Sequence, residues 1–342
     1  MTALLNPQLA AWSHTPAANE IEQHVLRHLL EVFGFGNDGT LGSFTSGGAE
    51  SNLTAVVAAL TDRFESYGTD GVAALARRPV FYASAAAHDS FGKICHLTGI
   101  GRRALRSVDT DRRLRLDVDT LQGQIEDDLG RGLAPFMVVA TAGTTSAGII
   151  EPIDDLVGLC REHALWLHVD AAWAGAAALS PRLRAHLGPI SEVDSVTCDA
   201  HKWFNVPMAA GIILCRHRRA LERAFRIATD YMPGSPAGVV DPYLTAVQWS
   251  RRFIELKVFM VLAELGAEGF AGMIERQAEC GDLLRDKLRR AGWEIVNETP
   301  LPVVCFTHHR IRGDGASLRA VLDRILWSTR SSLASAATIR PS

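Results

Sequence analysis

Apolar and polar positions follow two periods along this chain. Short, nearly unbroken apolar runs fall at residues 80–84, 136–141, 165–170, 195–198 and 211–215. Each is short and bounded by turn residues, so each predicts a strand apolar on both faces. Between several of them, at 88–97, 118–129 and 153–163, the apolar positions recur with helical spacing. Upstream, 19–33 predicts an amphipathic helix, with Asn19 as cap and Glu22 three residues on, as in a capping box. A glycine-rich turn at 34–42 and a tight turn at 45–50 follow, then a helix at 51–64. Apolar strands separated by helices predict an α/β fold, a mostly parallel sheet sandwiched by helices.

The pattern changes after Tyr231. Residues 232–241 form a loop with two prolines and two glycines. Helical periods follow at 244–265 and 268–290, short strands at 293–296 and 303–307, and a helix at 317–326. The tail, 328–342, is rich in serine and alanine and has no period. This predicts a large domain over 1–240 and a smaller α+β domain over 241–342.

Composition narrows the classes. The 342 residues carry 35 basic and 38 acidic side chains, a formal net charge of -3. No charge block stands out, which points away from nucleic acid and from a membrane surface. No apolar stretch reaches the roughly 18 residues a membrane span needs. The stretch from Met1 to Pro7 lacks the basic flank of a secretory signal. The six cysteines, Cys95, Cys160, Cys198, Cys215, Cys280 and Cys305, form no C-x-x-C pair. Neither a zinc site nor a disulfide framework is expected, and reduced thiols in a cytoplasm are. His24 and His28 stand four apart, but HVLRH lacks the metalloprotease glutamate.

Five loops beside strands carry candidate chemistry. Lys202, in Asp199-Ala200-His201-Lys202-Trp203, follows a strand; a lysine in such apolar surroundings can serve as a Schiff-base nucleophile, though a lone lysine equally fits a surface charge. Asp170, in His168-Val169-Asp170-Ala171-Ala172-Trp173, ends a strand, where open α/β sheets bind ligands. A carboxylate there can pair with a protonated pyridine nitrogen; it equally fits a helix cap. Thr45 to Asn52 contains Gly47-Gly48-Ala49 opening a helix, which suits a phosphate or a plain capping turn. It is neither G-x-G-x-x-G nor a Walker A loop. His88 starts a helix after a strand, where an imidazole can stack on a flat ring or simply cap. Gly143 to Gly148 brings the hydroxyls of Thr144 and Thr145 to the same sheet edge.

In their joint order these stretches resemble the group II pyridoxal 5′-phosphate (PLP) dependent amino acid decarboxylases, which share the aspartate aminotransferase fold, fold type I. The matching stretches are FTSGGAESNL (44–53), AHDSFGKICHLTGIG (87–101), VVATAGTTSAGIIEPID (138–154), LWLHVDAAWAGAAALSP (165–181) and DSVTCDAHKWFNVP (194–207). FRIATDYMP (225–233) and QWSRRFIELKVF (248–259) extend the likeness over most of the chain. The resemblance implies that Lys202 holds PLP as an imine and that Asp170 binds the pyridinium nitrogen. It implies that His88 stacks on the ring, that Ala172 packs on its other face and that Thr144 lies near its substituents. Gly47, Gly48 and Ala49 would hold the phosphate, with Asp199 and His201 on that side. Tyr231 matches a mobile-loop tyrosine that protonates the carbanion once carbon dioxide has left. The implied substrate is a small-molecule L-amino acid, aromatic favoured, and the implied assembly is a homodimer.

Three departures accompany the resemblance. The segment before residue 19 is shorter than in the family. The C-terminal domain reads as cut short, with Ala337 to Arg340 resembling the start of a late strand. Ala49 stands where many relatives have serine. Two other readings follow: another PLP reaction, such as aldehyde synthesis or a lyase step, and an inactive relative. Product analysis separates the first from decarboxylation, and retention of PLP separates the second.

Overall fold

The computed structural model describes residues 6–324 except 38, 228, 230, 233–235 and 237. The tail at 328–342, including Ala337 to Arg340, and the end of the helix expected at 317–326 lie outside the described residues; residues 315–324 are helical.

Seven strands form one sheet: β1 (Leu41–Thr45), β2 (Pro79–Ser84), β3 (Leu105–Val108), β4 (Ala134–Thr141), β5 (Trp166–Asp170), β6 (Ser195–Asp199) and β7 (Gly211–Cys215). Their order is β1-β7-β6-β5-β4-β2-β3. β3, β2, β4, β5 and β6 run parallel, as expected of strands joined through helices. β7 is antiparallel to both of its neighbours. The short link from β6 holds no crossover helix, so the chain turns back and pairs directly. β1, being antiparallel to β7, therefore runs in the same direction as β6.

The expected strands all form. β1 overlaps the turns expected at 34–42 and 45–50, because Gly42 and Ser43 interrupt its apolar run. All five of its residues are nevertheless buried, and pairing with β7 decides their conformation. β3 is a short edge strand whose Arg106 and Ser107 break the apolar run.

The principal helices are α1 (Pro16–Phe33), α2 (Gly48–Arg63), α3 (Ser90–Leu97), α4 (Val118–Gly130), α5 (Ile153–Glu162), α6 (Arg218–Phe225) and α7 (Glu255–Arg290). They cover both faces, and the strand period sorts the core accordingly. Val80, Tyr82, Val138 and Ala140 face one apolar cluster, with α1 and α5. Phe81, Ala83, Met137 and Val139 face the other, with α2, α3 and α6.

Two sequence expectations give way. Helix α1 starts at Pro16, a favoured first position, so Asn19 lies inside it rather than capping it. The Asn19 amide donates to the Thr15 carbonyl at 3.1 Å. Glu22 makes no capping box; it is buried in an ion pair with Arg251. The helix expected over 244–265 begins only at Glu255, because side chains of 248–251 bond outward to β1 and α2. α7 breaks at Gly266, whose φ of +62° lies in the left-handed region that glycine tolerates. The later strand pair is Glu294–Ile295 with Phe306–Thr307. Side chains on both sides of residue 241, such as Phe204 and Phe270, share one apolar cluster. No helix among the described residues is long and apolar enough to cross a membrane.

Candidate active site

The sheet brings the candidate residues to one edge. Thr141, Asp170 and Asp199 each end a strand, and these three strands are adjacent and parallel. Such carboxyl ends are where open α/β sheets bind ligands. The glycine turn reaches the same edge through β7: Gly211 pairs with Thr45 on one side and with Asp199 on the other. A Cβ at Gly211 would lie 2.6 Å from the Gly47 backbone, so only glycine lets the turn fold over this point.

A cavity of about 200 Å³ opens there, walled by Gly48, Ala49, Asn52, His88, Thr141, Gly143, Thr145, Asp170, Ala172, Trp173, Asp199 and Lys202. Of the residues singled out from sequence, it gathers Lys202, Asp170, Asp199, His88, Gly48, Ala49 and Ala172. Gly47 and His201 stand just behind the wall, since a Cβ on Gly47 would lie 3.3 Å from His201 Cε1.

Two residues are not brought in. The Thr144 hydroxyl is buried, accepting from the Ile149 N–H at 3.0 Å, and the neighbouring Thr145 lines the cavity instead. The tight turn that closes Gly143 and Thr144 onto Ile149 turns Thr144 inward. Tyr231 is 74% exposed and stacks on Trp249, outside the cavity wall.

Asp170 is held by a directional chain of hydrogen bonds. Trp166 Nε1–H donates to Ser195 Oγ at 2.9 Å, and Ser195 Oγ meets His168 Nδ1 at 2.8 Å. His168 Nε2 meets Asn52 Oδ1 at 3.1 Å, and Asn52 Nδ2 donates to Asp170 Oδ2 at 2.8 Å. The Ala172 N–H donates to the other oxygen at 3.0 Å. Burial pushes His168 down to about 4, against the opposing pull of Asp170, so at neutral pH the ring is uncharged. Neutral His168 then carries its proton on Nε2, toward Asn52, and accepts from Ser195. Asp170 faces the cavity with both oxygens held by hydrogen bonds.

Asn52, His168 and Ser195 were not singled out from sequence. Asn52 sits one helical turn beyond Gly48 on α2, so helical spacing was the signal for it. Glu151 is also new. It is 2% exposed and accepts from the Thr141 N–H at 2.6 Å. Burial pushes it up to about 7, assisted by the nearby charge of Asp170.

The opposite wall is less saturated. Lys202 Nζ lies 3.3 Å from Asp199 Oδ2, and His201 Nε2 lies 3.7 Å from the same oxygen. Asp199 Oδ1 is buried without a partner among the described residues. Burial pushes the Asp199 carboxyl up, while Lys202 and His201 pull it back. His201 Nδ1 is taken by the Ala210 N–H at 3.0 Å. His88 Nδ1 accepts from the Ser90 N–H at 3.2 Å. A Cβ on Gly48 would sit 2.9 Å from Asp199 Oδ2, so the turn keeps room for a ligand only as glycine. The first N–H groups of α2 have no helical acceptor and carry the positive end of the helix dipole.

Residues 1–309 match the model of the pyridoxal-dependent decarboxylase conserved domain. The chain belongs to this family. It is 31% identical over 302 residues to an aromatic-L-amino-acid decarboxylase of Bacillus atrophaeus, covering 87% of this chain and 61% of that one. It is 30% identical over 311 residues to an acidic amino acid decarboxylase of Mus musculus, covering 90% of this chain and 56% of that one. The crystal structure of mouse CSAD superposes with a TM-score of 0.86 at 29% identity, covering 91% of this chain and 65% of that one. The chain thus spans about three fifths of the length of the curated relatives it matches. The fold is the type I fold expected of the family.

The residues present fit PLP. The cavity offers a primary amine at Lys202 and a fixed anion at Asp170. It also offers small walls at Ala172 and Gly143, and the free N–H groups that open α2 at Gly48 and Ala49.

Proposed function

We propose that this protein is a PLP-dependent carboxy-lyase that converts an L-amino acid to its amine and carbon dioxide. The observation that carries the reading is one cavity holding Lys202, the fixed Asp170 anion and the glycine turn of α2. In this reading Lys202 is the amine that carries the cofactor, and Gly47, Gly48 and Ala49 offer N–H groups to its phosphate. Asp170 holds a proton on the ring nitrogen, His88 and Ala172 bracket the ring, and Asp199 and His201 flank the phosphate side. Bound PLP supplies an electron sink for the pair released when the carboxylate leaves.

The chain's own residues do the rest. Asp170 would face the ring nitrogen in one orientation, because Asn52 and the Ala172 N–H hold both of its oxygens. Neutral His168 behind Asn52 adds no competing charge. Lys202 lies next to Asp199, which can hold the ammonium whenever the lysine is released from the cofactor. Tyr231 is the proposed proton donor to Cα, and it has to be carried in from its stack on Trp249.

An aromatic substrate is favoured in this reading. Trp173 lines the cavity and is itself stacked on Trp203, with centroids 4.9 Å apart and planes 24° apart. That stack gives a flat apolar wall suited to a ring. The protein acts as a homodimer in the cytoplasm in the same reading.

A panel of L-amino acids scored for amine and carbon dioxide tests the proposal. Aromatic substrates should exceed acidic ones by about tenfold or more in kcat/KM, the discrimination one apolar wall can supply. Equal or better turnover of glutamate or aspartate contradicts the aromatic preference. The position of Tyr231 outside the cavity favours a second reading, aldehyde synthesis with dioxygen as the oxidant, and aldehyde as the main product of the unaltered protein, with ammonia and hydrogen peroxide released, would establish it. If Tyr231 is the proton donor, Tyr231→Phe keeps carbon dioxide release and diverts product toward aldehyde; an unchanged amine yield removes it from that role.

A further inference from the structure

The anion seat at the start of α2 has a rival built into it. Glu50 occupies the third position of α2, from which an acid ordinarily folds back onto the opening N–H groups. A carboxylate there is also favoured by the helix dipole. It would compete with any phosphate brought to Gly48 and Ala49.

Glu50 is held elsewhere. Its Oε2 accepts from the Ser46 N–H at 3.0 Å and from the Ser46 hydroxyl at 2.5 Å. Both of its oxygens accept from Gln248 Nε2, at 2.9 and 2.7 Å. Gln248 comes from nearly 200 residues away, in the stretch before α7. That stretch is anchored by Arg251, which is buried and donates to the Phe44 carbonyl at 2.6 Å and to Ser43 Oγ at 3.2 Å. Arg251 is also ion-paired with Glu22 of α1, and its carbonyl accepts from the Leu9 N–H at 3.0 Å. The glycine turn is thus gripped from behind by a segment that makes no contribution to the cavity wall.

We propose that Gln248 is a positioning residue for the cofactor's phosphate: it holds the Glu50 carboxylate back on Ser46, so that an outside anion takes the N–H groups of Gly48 and Ala49. This rests on the reading of the cavity as a PLP site. Gln248 does not line the cavity and acts through Glu50. A purely structural role would weaken every form of the cofactor alike, whereas this role acts only on the phosphorylated form and only while Glu50 is charged.

The test measures dissociation constants of PLP and of pyridoxal for the unaltered protein, Gln248→Ala, and Gln248→Ala with Glu50→Gln. Gln248→Ala should weaken PLP about tenfold, the scale of one close like-charge contact partly screened by solvent. Pyridoxal should be unaffected, and Glu50→Gln should restore PLP affinity to within about twofold. Unchanged PLP affinity in Gln248→Ala, an equal loss for pyridoxal, or a loss that Glu50→Gln does not relieve overturns the proposal. If the unaltered protein binds no PLP, the cofactor reading falls, and the thermal shift given by inorganic phosphate decides the seat. Stabilisation lost in Gln248→Ala and regained in the double variant keeps the proposal, and any other pattern ends it.

Discussion

The two acids of the cavity sit one strand apart, both buried, and differ in their partners. Asp170 has both oxygens met, by Asn52 and by the Ala172 N–H, with an uncharged histidine behind. Asp199 has one oxygen on Lys202 and the other without a partner among the described residues. A buried carboxylate with its lone pairs satisfied is a fixed charge, whereas one left half-satisfied is poised to meet an incoming group. The difference separates the part of the site that is finished in the chain from the part that a ligand completes.

The largest effect should come from the finished acid. Asp170→Asn should lower turnover about a thousandfold, the loss typical of removing one preorganised electrostatic partner. It should leave cofactor retention at Lys202 detectable by absorbance. Turnover within tenfold of the unaltered protein would break the comparison.

Next is Glu151, the hidden carboxyl on the Asp170 side. Its folded value is raised to about 7 from an ordinary 4.5. Between these two values the folded chain keeps a proton that the unfolded chain has released, so stability falls as pH rises through that window. Glu151→Gln should remove that fall, worth roughly 3 kcal/mol across the window. Urea unfolding of the cofactor-free protein at pH 5 and pH 8 measures it; identical slopes in both proteins place the titration elsewhere. The smallest effect is expected at Asp199→Asn. It removes the counter-ion of Lys202 and also an anion beside the turn proposed to hold the phosphate, and the two changes oppose. PLP affinity should move by less than about fivefold, and a hundredfold loss would make Asp199 as finished a partner as Asp170.

Much of this was legible in the sequence. The apolar runs predict β2, β4, β5, β6 and β7; Asp170 ends β5, and the loops that follow β6 and β2 hold Lys202 and His88. What was not legible depends on pairing across the chain. β1 has too little apolar character to announce itself and is a strand because β7 lies beside it. Asn19 and Glu22 have the spacing of a capping box, but Glu22 is drawn to Arg251, more than 200 residues on. Asn52 and Glu151 reach the site through side-chain bonds to Asp170 and Thr141 that no local pattern encodes. Thr144 and Thr145 are adjacent hydroxyls, and only the fold of their turn decides that Thr145 lines the cavity.

The most direct test is the absorbance spectrum of the purified protein with PLP, taken before and after borohydride and followed by peptide mapping. A visible band that disappears on reduction, with the pyridoxyl group fixed on the peptide containing Lys202 and absent from Lys202→Ala, is the predicted result. A folded protein that shows no such band, or carries the label on another lysine, contradicts the assignment of this cavity as a PLP site.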